Sequence, residues 1–388
     1  MNYLKKSLVF SSVGITSALG YTFYNKDIIS KKYIIPKLYS MDPEEAHNLA
    51  IKFMSYGFMP KYEQFKDKSL NVHLWNKTFK NPVGLAAGFD KHAKAYDSLS
   101  KIGFGFLELG SVTLQPQNGN PKPRIHRFKD SIINSCGFNS DGLDTFYKRI
   151  SKRDNNDCII GTNIGKNLNT NNILNDYQEC IEKLDKYSDY MVINISSPNT
   201  VNLTNLQNKE NLETILMRVK SCSNKPILIK LSPDLEYEQL TDIRDLVFKY
   251  NVDGLIISNT SKIPAGGLSG KPIYDKSNQV LYDMYKLTYG KVPLIGVGGI
   301  FTGDDAYQKI KNGASLVQIY TSFILEGPEV INNINTRLYE LLKRDGYESI
   351  EDAIGVDIKN NYWNYLYYQT KYENLKKNIY SYIFNIDY

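Results

Sequence analysis

A dense run of uncharged hydrogen-bonding side chains, Asn194-Ile195-Ser196-Ser197-Pro198-Asn199-Thr200, directly follows the apolar segment Tyr190–Ile193. Hydroxyl groups can move protons when something accepts them, and amides both donate and accept hydrogen bonds, so the run could support proton transfer and polar recognition. An apolar run followed by Ser, Pro and Asn is typical of a strand that ends in a loop, and such loops often carry function. These residues also form ordinary turns, so a turn without function remains open here.

Eight short apolar runs alternate with amphipathic helical segments from about residue 80 onward. The candidate strands are Val83–Ala87, Phe106–Leu109, Ile159–Ile164, Tyr190–Ile195, Ile227–Leu231, Gly254–Ser258, Leu294–Val297 and Leu316–Tyr320. Continuous apolar strands separated by helices predict parallel βαβ units, and eight units close most economically as a (β/α)₈ TIM barrel in the α/β class. A doubly wound open sheet is the alternative.

Polar residues recur where these candidate strands end. They are Lys91, Ser111, Asn163, Asn194 to Thr200, Lys230 and Asn259-Thr260. Taken singly, an Asn can cap a helix and a Lys can snorkel at a rim. The carboxyl ends of barrel strands converge on one face, where barrel enzymes place their active sites, so six such ends predict one polar site.

The last two candidate strands carry a different signal. Leu294–Ile300 contains Gly296, Gly298 and Gly299, and leads through Thr302-Gly303 into a helical segment. Glycines let backbone N–H groups approach an anion, and a helix N-terminus attracts negative charge. Glycine also serves ordinary turns, but this position in an eight-unit series favours a phosphate-bearing cofactor.

Composition excludes several classes of protein. With 388 residues, 42% of them hydrophobic and 23% charged, the chain can bury one large core and is not a disordered protein. The net charge of +6 is modest and its Lys and Arg are scattered, which argues against nucleic-acid binding. The 4 cysteines and 4 histidines show no C-x-x-C or H-x-x-x-H spacing, so neither a metal site nor a disulfide framework is indicated.

The N-terminus is distinct from the barrel segment. Leu8–Tyr24 is mostly apolar, free of charge and flanked by lysines, which favours a single membrane anchor over a cleaved organelle-targeting sequence. A helix is then predicted from the N-cap Asp42, with Pro43 in its first turn and Gly57 as its terminator. The apolar stripe of this helix is Ala46, Leu49, Ala50, Phe53 and Met54. The stripe either packs on the main body or forms the mouth of a site open to the bilayer.

Seven motifs of the chain resemble one family. They are Asn81–Lys91, Gly110–Thr113, Asn134 with Gly137-Phe138-Asn139, Asn163–Asn167, Asn194–Thr200, Gly267–Gly270 and Ile295–Ile300. Over roughly residues 35–357 the sequence closely resembles the class 2 dihydroorotate dehydrogenases. The resemblance implies a barrel that binds flavin mononucleotide (FMN), oxidation of dihydroorotate to orotate in pyrimidine biosynthesis, and transfer of the electrons to ubiquinone.

The resemblance also implies catalytic roles. Ser197 would remove the C5 proton of dihydroorotate while hydride leaves C6 for flavin N5, and Thr200, with water and the packing of Phe138, would form the relay for that proton. Class 1 relatives have cysteine at the position of the base, so Ser197 favours the membrane-linked class. The implied substrate contacts are Lys91, which would neutralise the carboxylate, and Asn134, Gly137, Phe138, Asn194, Asn199, Asn259 and Thr260. Their amides suit the alternating N–H and C=O edge of a pyrimidine.

The flavin contacts implied in the same way are Ala86, Ala87, Gly88, Lys91, Ser111, Asn163, Asn194, Lys230, Ser258, Gly270, Gly299, Tyr320 and Thr321. Among them Lys230 would stabilise negative charge on the reduced flavin, and the last three would hold the phosphate. His47, Arg124 and Arg127 match positions that line the quinone tunnel of the family.

These implications give a domain plan and a location. We predict a targeting or transmembrane segment at residues 1–30, a helical quinone-access domain at 31–65, the FMN barrel at 66–357 and a polar tail rich in Tyr, Asn and Lys at 358–388. The protein is expected to be a monomer, anchored by one N-terminal pass in the mitochondrial inner membrane or, alternatively, in a bacterial cytoplasmic membrane.

Two departures and two alternatives accompany the resemblance. Asn202 stands where the family usually has Gly, and Thr204 where it commonly has Arg. Asn tolerates positive φ better than most residues, whereas the contact of an arginine would be lost. The alternative functions are another FMN barrel oxidoreductase acting on a dihydropyrimidine, and an inactive membrane-tethered flavin-binding protein.

Overall fold

A computed structural model describes residues 33, 35–59, 65, 67–153, 158–200 and 203–359. The predicted anchor at residues 1–30, Asn202 and all but the first two residues of the predicted tail lie outside the described residues.

A closed parallel barrel of eight strands forms the centre of the fold, so the predicted (β/α)₈ architecture is confirmed and the open sheet is not. Its strands, numbered in chain order among all strands, are β3 (Val83–Leu85), β4 (Phe106–Val112), β7 (Ile159–Ile164), β8 (Tyr190–Asn194), β9 (Ile227–Leu231), β10 (Gly254–Ile257), β13 (Leu294–Val297) and β14 (Leu316–Ile319). Each pairs in parallel with the next, and β14 pairs with β3 to close the ring. Every residue in these strands is buried, as the continuous apolar runs predict.

Aromatic rings fill the amino-terminal end of the barrel. Phe106 and Tyr190 are fully buried, and a Cβ at Gly84 or Gly161 would lie 2.3 Å or 2.1 Å from their rings. These two strand glycines therefore make room for the rings. An antiparallel hairpin, β1 (Val72–Leu74) and β2 (Lys77–Phe79), covers this end of the barrel. Because these rings and the hairpin close the amino-terminal end, the opposite, carboxyl-terminal end is left for a site.

Helices pack on the outside of the barrel in the order expected for βα units. After the N-terminal pair described below they are α3 (Tyr96–Leu99), α4 (Leu143–Ile150), α5 (Ile173–Leu184), α6 (Lys209–Val219), α7 (Tyr237–Lys249), α8 (Tyr274–Leu287), α9 (Gly303–Lys311), α10 (Thr321–Glu326) and α11 (Glu329–Asp345). Helix α9 begins with a capping box in which Thr302 and Asp305 satisfy each other's backbone N–H groups.

A second sheet of four antiparallel strands lies in two insertions of the barrel. It contains β5 (Ile125–Arg127) and β6 (Ser131–Asn134), which follow β4, and β11 (Ser261–Ile263) and β12 (Gly266–Gly270), which follow β10. Strand β6 pairs with β12, so Asn134 lies opposite Gly267. No apolar run in the sequence predicts these strands, and their pairing brings Asn134 and Gly270 to the site.

Two helices precede the barrel: α1 (Ile35–Tyr39) and α2 (Pro43–Ser55). Asp42 caps α2 as predicted, accepting from the N–H groups of Glu44 and Glu45, and Gly57 follows its end with φ of 77°. In the predicted stripe, Ala46 and Met54 are buried against the body, whereas Phe53 is 52% exposed. Within the part of the chain that the structure describes, we find no helix of the length and hydrophobicity needed to cross a membrane.

Candidate active site

One cavity of about 1210 Å³ at the carboxyl ends of the barrel strands brings most of the predicted site residues together. The predicted residues that line it are His47, Ala86, Ala87, Gly88, Lys91, Ser111, Arg127, Asn134, Gly137, Phe138, Asn194, Ser197, Asn199, Lys230, Ser258, Asn259, Thr260, Gly270, Gly299, Tyr320 and Thr321. Thr200, Asn163 and Arg124 lie outside the lining, and their contacts are described below. The cavity is large enough for a cofactor together with a small substrate.

Three polar side chains on neighbouring strands form one hydrogen-bonded group on the cavity floor. Strand register sets Asn163 beside Gly110 and Asn194 beside Lys230. The Ser111 hydroxyl donates to Asn163 Oδ1, and Asn194 Nδ2 donates to that oxygen at 3.1 Å and to Ser111 Oγ at 3.2 Å. Asn163 is therefore a support for the lining residues Ser111 and Asn194.

A buried carboxylate that the sequence analysis missed joins the floor of the cavity. Glu108 Oε1 accepts from Asn163 Nδ2 at 2.8 Å and lies 3.5 Å from Lys230 Nζ, while its Oε2 accepts from Gln318 Nε2 at 2.6 Å. Glu108 is 0% exposed and Lys230 only 5%. Because the carboxylate is fully engaged, it fixes Lys230 at the floor of the site. A charged residue inside the apolar run Phe106–Leu109 was the signal available in the sequence.

The predicted pyrimidine-binding amides meet in pairs across the cavity. Asn199 Nδ2 donates to Asn134 Oδ1 at 2.8 Å, which links the loop after β8 to β6. Asn259 Nδ2 donates to Asn194 Oδ1 at 3.3 Å and to the hydroxyl of Ser196 at 3.1 Å. Asn134, Asn199 and Asn259 keep further donor or acceptor capacity, whereas Asn194, whose Nδ2 and Oδ1 are both fully engaged, would exchange one of its bonds for a ligand. The group can therefore recognise a planar polar ring. Ser196 was not predicted, although it lies in the polar run.

The predicted base and relay lie in the same loop. Ser197 lines the cavity with 8% exposure, and its Oγ accepts a long hydrogen bond of 3.4 Å from the Asn199 N–H. Thr200 is 5% exposed, and its Oγ1 has no hydrogen-bond partner among the described residues. Phe138 adopts a positive φ of 55°, and its ring packs so close to Gly165 that a Cβ there would lie 3.0 Å away. Because Ser197 lines the cavity and its hydrogen bond to the Asn199 N–H is long, its hydroxyl can interact with a ligand.

Lys91 stands on a tight turn at the edge of the cavity. The buried carboxylate of Asp90 organises this turn by accepting from the N–H groups of Lys94 at 2.8 Å and Ala95 at 2.7 Å. Burial raises the pKa of Asp90, and these N–H donors oppose that shift. Lys91 Nζ lies 3.9 Å from the Cys136 sulfur, so a cation and a thiol face each other in the lining.

The glycine turn after β13 has the shape of an anion cradle. Gly298 and Gly299 have φ values of 113° and 76°, and a Cβ on Gly299 would lie 2.5 Å from Tyr274 Cβ. Thr321, at the start of α10, donates from its Oγ1 to Ser269 Oγ at 2.9 Å. Burial raises the pKa of Tyr320, so its phenol stays protonated. The backbone of this turn and the Thr321 hydroxyl line the cavity and fit the phosphate of FMN, and the network from Ser111 to Lys230 fits a polar ring system.

Helix α2 supplies an apolar wall of the cavity through Leu49, Ala50 and Phe53. His47 joins this wall with its ring edge-on to Phe89 at 5.2 Å. Burial, and then the positive charges of Lys91 and His92, lower the pKa of His47 to about 3. His47 is therefore neutral at physiological pH. Part of the stripe on α2 packs on the body and part of it lines the cavity, while the opening toward a bilayer stays a prediction.

Two arginines tie the N-terminal helices to the inserted sheet. Arg124 donates to both carboxylate oxygens of Glu44 on α2, at 3.0 Å from Nε and 2.7 Å from Nη2, which explains why it lies behind the cavity wall. Burial raises the pKa of Glu44, but the hydrogen bond and charge of Arg124 outweigh it and lower that pKa. Arg127 donates to the backbone carbonyls of Leu38, Tyr39 and Met41. No local pattern in the sequence indicates Glu44 as the partner of Arg124.

Comparison with known proteins identifies the family. The family model for dihydroorotate dehydrogenase matches residues 69–342. The mitochondrial dihydroorotate dehydrogenase (quinone) of Oryza sativa subsp. japonica is 41% identical, with 85% of this chain and 80% of that protein covered. The corresponding protein of Mus musculus is 40% identical, with 91% and 97% covered. The crystal structure of DHODH from Eimeria tenella in complex with ferulenol has a TM-score of 0.79 at 38% identity, covering 83% of this chain and 98% of that one. The resemblance noted in the sequence is confirmed, and the chain belongs to the dihydroorotate dehydrogenase family.

Proposed function

We propose that the chain oxidises dihydroorotate to orotate in pyrimidine biosynthesis, with Ser197 as the base, and that the electrons pass to ubiquinone. The family is FMN-dependent, and both relatives described above carry the name of its quinone-linked enzymes. One observation carries the residue assignment: Ser197, Lys91, Lys230 and the paired amides all line a single cavity at the carboxyl ends of the barrel strands.

Recognition of dihydroorotate rests on charge and on amides. Lys91 would pair with the substrate carboxylate at the edge of the cavity, while Asn134, Asn194, Asn199 and Asn259 would bind the N–H and C=O groups of the ring. Gly137, Phe138 and Thr260 complete this side of the cavity. A dihydropyrimidine without a carboxylate would leave Lys91 unpaired in a partly closed site, so the site would reject it.

Ser197 would accept the proton released from C5 of the substrate. A hydroxyl is a weak base unless its own proton can leave. The buried Oγ1 of Thr200, which has no hydrogen-bond partner among the described residues, is a group available in the same loop. Phe138 would keep bulk water from this step, because its ring closes one side of the site. Bound FMN supplies the hydride acceptor for the reaction.

The flavin would lie between the β3–β4 side of the barrel and the hydrogen-bonded side chains on the cavity floor, which run from Ser111 to Lys230. Ala86, Ala87, Gly88, Ser111, Ser258 and Gly270 offer a close backbone approach and hydroxyl groups, with Asn163 and Asn194 behind and beside them. Lys230 would place its charge where negative charge develops on the flavin ring. Gly299, Tyr320 and Thr321 would hold the phosphate.

The quinone would enter along helix α2. Leu49, Ala50 and Phe53 form an apolar path between the outside and the cavity, and neutral His47 faces it. Arg127 lines the same opening, and Arg124 holds α2 in place through Glu44. These features support membrane association. We also propose that the chain crosses the mitochondrial inner membrane, or a bacterial cytoplasmic membrane, once near its N-terminus. We propose in addition that it is a monomer.

The proposal is tested by anaerobic reduction of the purified flavoprotein. Dihydroorotate should bleach the flavin, dihydrouracil at the same concentration should not, and ubiquinone should restore the colour. A failure of dihydroorotate to bleach the flavin would refute the activity. Reoxidation by fumarate but not by ubiquinone would refute the quinone assignment.

A further inference from the structure

Lys309, on helix α9, is a fully buried cation with an unusual set of partners. Its side chain is 0% exposed, and its ammonium donates to Ser277 Oγ and Asn278 Oδ1, both at 2.8 Å. The Tyr274 ring lies 5.3 Å from the same nitrogen. No carboxylate of the described residues lies within ion-pair distance of it. Two residues on, the more exposed Lys311 pairs with Asp357 at 3.3 Å.

A buried ammonium with only neutral oxygen partners is costly, because those dipoles replace only part of its hydration. The nearest acidic influences come from Asp305 and Asp275. Asp305 is engaged elsewhere, since its carboxylate accepts from the N–H groups of Phe301 at 3.0 Å and Thr302 at 2.8 Å. Burial lowers the pKa of Lys309 to about 7, with the two aspartates acting in the opposite direction. A bound anion nearby would restore the charged form.

Lys309 lies close to the glycine turn after β13. Ser277 Oγ, which accepts from the ammonium, lies 2.9 Å from the carbonyl oxygen of Tyr274 and 3.3 Å from that of Gly298, the first glycine of the cradle. The next residue, Gly299, packs on Tyr274 so closely that no Cβ would fit. Lys309 therefore stands directly behind the glycine turn, one hydroxyl group away from its backbone.

We infer that Lys309 is the internal counter-ion of the flavin phosphate and, through Ser277, positions the Gly298-Gly299 turn that receives it. The inference rests on the placement of the phosphate proposed above. Lys309 does not touch the reacting atoms, so it is a positioning residue. Its charge would act across the turn in a low-dielectric interior, where screening is weak.

The test compares FMN with riboflavin, which lacks the phosphate, in titrations of the full chain stripped of its flavin. Lys309→Met, which keeps an unbranched apolar stem but removes the ammonium, should weaken FMN binding roughly tenfold or more and leave riboflavin binding unchanged. Lys311→Met, on the same helix, is the control and should change neither. A purely structural role would weaken both flavins together.

Ser277→Ala tests the link to the turn if Lys309→Met does not fold. It should weaken FMN selectively, whereas Thr288→Val, which removes a buried hydroxyl at the other end of α8, should not. Equal losses for both flavins, or no loss in either variant, would overturn the inference. Thr321→Ala separates the two proposals. If Thr321→Ala is the one variant that lowers the preference for FMN over riboflavin, the proposed phosphate site is supported and the proposed role of Lys309 is refuted. If no variant changes that preference, both fail.

Discussion

The ammonium of Lys230 lies 3.5 Å from the carboxylate of Glu108, and both side chains are buried at the floor of the cavity. Glu108 also receives the amides of Asn163 and Gln318, so one carboxylate joins four strands of the barrel. Lys230 is thereby held in place before any ligand binds. Pre-organised charge of this kind is effective in catalysis because little reorganisation is needed when negative charge develops.

Removal of the Glu108 charge should destabilise the protein. Glu108→Gln leaves Lys230 without its anion in a buried site, and we expect the free energy of unfolding to fall by about 3–5 kcal/mol. Urea denaturation of the variant measures this loss. The double variant Glu108→Gln with Lys230→Met removes both charges and should recover a large part of it. A double variant as unstable as Glu108→Gln would contradict the pairing.

Crowding behind the cradle should make Gly299 intolerant of a side chain. Gly299→Ala places a Cβ 2.5 Å from Tyr274 Cβ at a φ of 76°, so we expect the purified variant to carry much less FMN per chain. Gly346→Ala is a matched control, because its φ of 77° is the same but nothing lies within 4 Å. The control should cost about 1 kcal/mol of stability and keep its FMN. Equal FMN contents in the two variants would show that crowding does not matter.

The depressed pKa of His47 predicts a specific pH dependence of stability. The pKa is about 3 in the folded protein against an ordinary value of 6.5, so the unfolded chain binds a proton first as the pH falls. The stability contribution of His47 is therefore full above pH 6.5 and is lost progressively between pH 6.5 and 3. Relative to His47→Gln, the wild type should lose at least about 1 kcal/mol more between pH 6.5 and 5 in urea denaturation. If the free energy of unfolding of the two proteins changed with pH in parallel, the assigned pKa of His47 would be contradicted. His126→Gln, at an exposed site, is the control.

The tie between Arg124 and Glu44 should matter for only one half of the reaction. Arg124→Gln breaks the two charge-assisted hydrogen bonds to Glu44 that hold α2 on the inserted sheet, together with the bonds from Nη1 to the carbonyls of Asn118 and Asn120. We expect reoxidation of the flavin by ubiquinone to slow roughly tenfold, while reduction by dihydroorotate keeps its rate. Stopped-flow measurement of each half-reaction separates the two effects. Lys122→Met removes an exposed partner of Glu44 and should change neither rate. Equal slowing of both half-reactions in Arg124→Gln would mean that α2 does not guide the quinone.

The barrel was predictable because its strands are continuous apolar runs, and six of them end in or are followed by polar residues such as Lys91, Asn194 or Lys230. The inserted sheet was not, because β5, β6, β11 and β12 are short and rich in polar residues or glycine. The pairing of Asn134 with Gly267 also joins segments more than a hundred residues apart, which no local pattern encodes. Glu108 was visible as a charge in an apolar strand, but only the structure shows its three partners.

Several features of the site could be inferred only through the family resemblance. The polar run itself indicated hydroxyls and amides at a strand end, but not which hydroxyl faces the cavity. In the structure Ser196 is fully buried and its hydroxyl accepts a hydrogen bond from Asn259, whereas Ser197 lines the cavity. Backbone geometry after β8 decides this difference, since adjacent side chains point in different directions.

The most direct test of the account is the rate at which dihydroorotate bleaches the flavin in Ser197→Ala under anaerobic conditions near neutral pH. Loss of the base should slow bleaching by a factor on the order of 10² or more, with FMN still bound, because proton removal by a positioned group contributes at least that much. Ser188→Ala, which removes a buried hydroxyl just before β8 and outside the cavity lining, is the control and should retain most of the rate. Bleaching by Ser197→Ala at the rate of the unchanged protein would contradict the role of Ser197 as the base.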